Sequence, residues 1–202
     1  MDRHCARNGK VTVKEETNKA DGTKTEIVTE TALDGSTRTT TDIVETDGTK
    51  VHEEKTVKPS GDYASVKETI LNDKHTVVTV NKTGKTKVDA SYNVTAKNKV
   101  ALSRITTTAK NGKLTIPKTI KSNGKTYKIT TLKKNMLKGS ETTPKTVIIS
   151  AAGITKVEKD AFKHLAKKGT IKIKDTKKEF KKIKKMIKKA GLSKSVKIKR
   201  VK

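Results

Sequence analysis

The sequence predicts a mainly β repeat protein in two parts: a threonine-rich β segment, then a strongly basic repeat array closed by a helix and a strand. Three observations carry this expectation. Turn dipeptides recur every 13 residues through the first half, and a ten-residue block recurs at an offset of 25 in the second. Apolar residues make up only 31% of the chain and aromatic residues 2%, where ordinary globular chains run to roughly 45–50% apolar. So thin a supply of core residues suits architectures that bury one stripe per repeat.

The first repeat is marked by Asn8-Gly9, Asp21-Gly22, Asp34-Gly35, Asp47-Gly48 and Ser60-Gly61, with Asp73-Lys74 continuing the phase in degenerate form. Asn-Gly and Asp-Gly favour two-residue hairpin turns, in which both central residues need positive φ. Between them lie stretches rich in Thr and Val, such as Thr23–Thr29, which suit strands. Two geometries fit the period. In an antiparallel meander with two-residue turns, one apolar row, Val44–Val51–Ile70–Val77, crosses four strands on a single face. In a β-solenoid with one repeat per coil, Val44, Val57 and Ile70 stack instead. Eleven-residue segments joined by Asp-Gly are natural hairpins, which favours the meander. Either core is sparse, so residues 1–20 and the early repeats at 8–40 are expected to order poorly on their own. Calcium is not implied by the acidic turns, because they lack the nine-residue calcium-coil pattern and the EF-hand loop.

Charge separates the halves. Residues 1–100 hold 17 Lys+Arg against 16 Asp+Glu, and residues 101–202 hold 31 against 5. Such asymmetry marks two units with different surfaces. The sequence therefore divides into a β-repeat stalk or spacer at 1–100 and a basic domain at 101–202, with loop-like composition at 95–112.

In the basic half, Ile129–Lys138 matches Ile154–Lys163 at the offset of 25. The strand-like runs Thr146–Ile149 and Thr170–Ile173 follow these blocks, and Leu114-Thr115-Ile116-Pro117 precedes a hairpin signal at Asn123-Gly124. Thr176 and Glu179 stand at capping-box spacing and Gly191 is an αL stop, which predicts a helix from Lys177 to Ala190. Phe180, Ile183, Ile187 and Ala190 share its apolar face, and a last strand is expected at Ser195–Lys199.

These blocks resemble the BspA-like leucine-rich-repeat family of bacterial surface proteins. That family's repeats carry I-x-x-I/V-x-x-x-A-F followed by L-x-x-I-x-I-P. The matches here are Ile154, Val157, Ala161 and Phe162, then Ile171 and Ile173, while Met136-Leu137 replaces Ala-Phe in the earlier block. The resemblance covers about residues 112–202 and implies the capping end of a leucine-rich-repeat solenoid. It also implies adhesion or binding of a host or bacterial surface protein or glycan through the repeat sheet.

Catalytic signatures are missing. His4, His52, His75 and His164 are scattered, Cys5 has no nearby partner beyond His4, and no Gly-rich phosphate loop follows a strand. The sequence therefore points to a non-enzymatic protein with no cofactor and no metal. It shows no apolar run of the ~20 residues a membrane span needs. The first residues lack the apolar core of a signal peptide, so a surface or secreted location implies a mature or truncated piece of a longer chain. The lysines admit a rival function, attraction to a wall polymer, glycan or nucleic acid through Lys178, Lys181, Lys182, Lys185 and Lys189. The basic half has 29 Lys but only Arg104 and Arg200, without interleaved aromatics. That argues against sequence-specific reading of nucleic acid, and the bland alternative is a solvated lysine surface.

Overall fold

The structure, a computed structural model, describes residues 2–5, 10–109 and 112–201. The turn expected at Asn8-Gly9 and the centre of the loop at Lys110-Asn111 lie outside the described residues. The chain divides into two compact units, Met1–Gly84 with Ser122–Gly124, and Lys85–Lys121 with Lys125–Lys202.

The first unit contains β1 (Asp2–Cys5), β2 (Val11–Asn18), β3 (Lys24–Thr31), β4 (Thr37–Val44), β5 (Lys50–Val57), β6 (Tyr63–Leu71) and β7 (Lys74–Thr83). Each strand pairs antiparallel with the next. The segment is thus a meander, and the alternative of one coil per repeat is not adopted. Residues 11–18, 24–31 and 37–44, within the part expected to order poorly alone, are regular strands of this sheet.

The register departs from the sequence expectation by one residue at the turns 47–48 and 60–61, and by two at 73–74, where Leu71 pairs with Lys74 and the loop is Asn72-Asp73. Val44 stands opposite Lys50, and Val51 opposite Ile43 and Thr69. The expected row Val44–Val51–Ile70–Val77 does not form. Instead Val44 and Ile70 join a row with Lys24, Lys50 and His75 and are 45% and 37% exposed. The cause at the first two is the turn, shown at 46–48. Gly48 N–H donates to Glu45 O at 3.0 Å, and Glu45 N–H to Thr49 O at 2.9 Å. The loop therefore has three residues, Thr46-Asp47-Gly48, with Gly48 at φ 85°. That is the type I turn closed by a left-handed glycine, not the two-residue turn. Asp47 keeps an ordinary φ because its Oδ1 accepts the Thr49 N–H at 2.8 Å, and Asp21 and Asp34 do the same for Thr23 and Ser36. A one-residue change in loop length changes which side chains meet across the strands.

The second unit contains β8 (Thr86–Ala96), β9 (Lys99–Thr107), β10 (Lys113–Ile116), β11 (Thr119–Ser122), β12 (Lys125–Leu132), β13 (Thr146–Ser150), β14 (Lys156–Val157), β15 (Thr170–Lys174), α1 (Lys177–Lys189) and β16 (Lys197–Val201). The boundary falls at Gly84/Lys85 and not at residues 95–112. The antiparallel hairpin of β8 and β9 runs through that stretch, with Asn98 at φ 58° in its turn. The loop-like composition at 96–99 therefore marks a tight turn, not a linker.

Beyond this hairpin the pairing becomes parallel. β10, β13, β15 and β16 form one ladder, in which Leu114, Val147, Ile171 and Ile198 lie in register. β9, β12 and β14 form another. The two ten-residue blocks bury equivalent side chains, Ile129, Met136 and Leu137 in the first and Ile154, Ala161 and Phe162 in the second, while Leu132 is buried and its counterpart Val157 half-buried. Their equivalence extends to the backbone: Asn135 (φ 56°) and Asp160 (φ 60°) are 25 residues apart and both left-handed. Parallel strands need long connections and cover on their faces, and the blocks and α1 supply both.

Candidate functional site

Apolar positions at 180, 183, 187 and 190 decide the face that α1 buries. Ile183 and Ile187 are fully buried and Ala190 is 6% exposed. Thr176 Oγ1 accepts the Glu179 N–H at 3.3 Å, one half of the expected capping box. The other half differs, since the Thr176 N–H is held by Asp175 at 2.6 Å. Gly191, at φ 84°, ends the helix.

The same periodicity turns Lys178, Lys181, Lys182, Lys185 and Lys189 outward, and all five are exposed. Lys178, Lys182, Lys185 and Lys189 form one stripe about 16 Å long, at about 1.5 Å per residue. Among the described residues only Lys182 of these five joins an ion pair, 3.8 Å from Glu179. Like charges four apart, as in Lys178/Lys182, Lys181/Lys185 and Lys185/Lys189, cost a few tenths of a kcal/mol each. An anion laid along the stripe removes that cost. Lysine is a flexible point charge without the planar fork of arginine, so the stripe can attract phosphate or sulfate without reading a pattern.

Carboxylates are few in this unit, and several are engaged locally. Residues 85–202 hold 35 Lys+Arg against 6 Asp+Glu. Asp89 pairs with Lys87 at 3.3 Å and Asp175 caps Thr176. Glu158 accepts the Lys134 N–H at 3.1 Å and lies 3.5 Å from Lys156. The backbone hydrogen bond from Lys134, with Lys133 and Lys156 nearby, holds the Glu158 carboxyl below its ordinary pKa. A groove of about 530 Å³ between α1 and β16 is lined by Lys184, Lys188, Leu192, Ser193, Lys194, Val196 and Ile198.

In the first unit the structure gathers side chains that the sequence leaves scattered. His52 Nδ1 is 2.6 Å from Asp42 and its Nε2 3.3 Å from Glu54, which Arg38 meets at 2.8 Å. His75 Nε2 contacts Glu68, a carboxylate only 3% exposed that also accepts the Ser122 hydroxyl at 3.1 Å. Burial alone lowers the His52 pKa, but its hydrogen bonds to Asp42 and Glu54 outweigh burial and the net direction is upward. The Arg38 guanidinium, with His52, holds Glu54 below its ordinary value. The symmetry of Asp42 and His52 about the turn at 46–48 is the signal that finds this pair, and it is visible only in the true register. Among the described residues no group of three His, Cys, Asp or Glu side chains is arranged to hold a metal. Nor is any helix long and apolar enough to cross a membrane.

Comparison with protein-family models, with curated proteins and with solved structures finds no match to this chain.

Proposed function

We propose that this chain is a non-enzymatic surface or secreted binding module: a β-repeat spacer carrying the closing end of a BspA-like leucine-rich-repeat array. The observation that carries this reading is the in-register stacking of Leu114, Val147, Ile171 and Ile198, one per parallel strand. It is supported by the buried block Ile154, Ala161 and Phe162, which repeats the pattern of Ile129–Leu137. A stack of this kind presents an extended face to a host or bacterial surface protein or glycan.

A second reading is favoured by the exposed stripe of α1. Lys178, Lys181, Lys182, Lys185 and Lys189 attract a linear anionic polymer through charge alone, so that binding weakens steeply as salt rises. One experiment separates the two. The full chain, displayed on a non-adherent bacterium, is tested for adhesion to cultured cells. In parallel, the purified chain is titrated with heparin, wall polymer and DNA across salt. Adhesion that persists when K182E, K185E and K189E are combined, and at raised salt, supports recognition through the repeat stack. Adhesion lost with the lysines, together with a steep salt slope, supports the polymer reading. No adhesion overturns the first, and no polymer binding at physiological salt overturns the second.

A further inference from the structure

β16 is an edge strand. Among the described residues it is last in the order β10-β13-β15-β16 and pairs with β15 alone. Lys197 N–H donates to Gly169 O at 3.0 Å, on the β15 side. Backbone groups alternate sides along a strand, so the N–H and C=O of Ile198 and Arg200 point to the open edge. Natural edges of this kind are templates for pairing with another chain.

Beside this edge lies the groove of about 530 Å³. Its floor is Leu192, Val196 and Ile198, all half-buried, and its wall is Lys184, Lys188 and Lys194. Among the described residues no carboxylate lines it. On the opposite face of β16, Lys197 and Lys199 are exposed, and Lys199 lies level with Lys172 on β15. Alternation along the strand thus sets Ile198 over the apolar floor, with the exposed Arg200 after it on the same face, and turns Lys197 and Lys199 to the other face.

A second copy fits this edge poorly. Edge-to-edge pairing would set Lys197 and Lys199 among their own equivalents, and directly opposed like charges are destabilising. The lysines therefore guard against self-pairing, and the same charges select an acidic complement. Apolar side chains are needed on the groove side and carboxylates on the lysine side.

We infer that β16 is a docking edge for an extended acidic segment of a partner protein, which adds as a further strand. It alternates apolar side chains into the groove with carboxylates beside Lys197 and Lys199. Main-chain hydrogen bonds to Ile198 and Arg200 supply affinity, and the alternation supplies specificity. The site names a partner chemistry that the binding-module reading leaves open, and it uses neither the outward stripe of α1 nor the repeat block.

The test uses the full chain and two labelled peptides of about seven residues, one alternating valine and glutamate, the other with the same residues in two blocks. At about 150 mM salt, where exposed charges more than ~8 Å apart are largely screened, the alternating peptide is expected to bind about tenfold tighter. Its binding slows amide exchange at Ile198 and Arg200, an arm that needs no variant to fold. K197E combined with K199E, checked for native circular dichroism, removes the preference. Equal affinity for the two peptides reduces the effect to net charge and overturns the inference. So does unchanged exchange at Ile198 and Arg200 with peptide bound, or the absence of binding. Heparin binding by the unsubstituted chain reports on the polymer reading separately.

Discussion

The two units are built from the same strands and meet the problem of burial in opposite ways. Among the described residues the first unit buries two apolar side chains, Val51 and Val77, while the second buries 27. The first holds its charges in pairs across neighbouring strands: Lys14 with Glu26, Arg38 with Glu54, His52 with Asp42, His75 with Glu68. In the second, Lys87, Lys156 and Lys182 pair with neighbours close in sequence. Strand content alone therefore says little about a core. A meander can stand on ladder hydrogen bonds, cross-strand pairs and well-made turns. A parallel stack must bury its faces, and it leaves its surface charge available to solvent or a partner.

The sharpest way to break this comparison is to open a hole in the second unit. Ile149 is fully buried between Ile116 and Ile173, so Ile149→Ala is expected to cost about 2–5 kcal/mol. Amide exchange in β13 and β15 then accelerates while β4 and β5 keep theirs. If β4 and β5 lose protection equally, the contrast fails. A smaller effect tests the turns of the first unit. At Gly48 (φ +85°) an added Cβ meets nothing within 4 Å, so Gly48→Ala isolates the backbone cost of a left-handed residue, about 1–2 kcal/mol. Thermal unfolding followed at β4 and β5 measures it, and an unchanged midpoint sinks the assignment of the turn.

Smallest is the effect of pH on His52. The net rise in its pKa means the folded state holds the proton more tightly than the unfolded one, whose value is about 6.5. Its contribution is therefore full below about pH 6.5 and disappears as pH rises through the folded value. The first unit should melt lower at about pH 8 than at about pH 6. His52→Gln should flatten that part of the profile, and a profile unaltered by the substitution removes His52 as its source.

Much of the fold was legible because the signals were local. Strand starts at Val11, Lys24, Thr37, Lys50 and Tyr63 follow the 13-residue period. The strands at Thr146 and Thr170, the helix over 177–189 and the face bearing Ile183 and Ile187 follow from patterning and capping residues. The register did not follow, because Asp-Gly serves two turns. A side chain that bonds the N–H two residues on keeps Asp at negative φ and lengthens the loop by one residue. That single residue also conceals the His52–Asp42 pair. The boundary near 100 misled because a hairpin turn and a linker share a composition. The outward lysines of α1 were readable from helical periodicity. The groove beside β16 was not, since Leu192, Val196 and Ile198 come together only through the path of the chain after Gly191.

The spacing of the first five repeat strands has a consequence for how such a segment changes length. Each 13-residue unit lays down one strand antiparallel to the last. Gaining or losing a single unit reverses the direction of everything that follows and moves the exit of the chain to the opposite end of the sheet. Gaining or losing two restores polarity and shifts the exit sideways by about 9.5 Å, twice the spacing between neighbouring strands. A change in repeat number is therefore neutral to orientation only in steps of 26 residues.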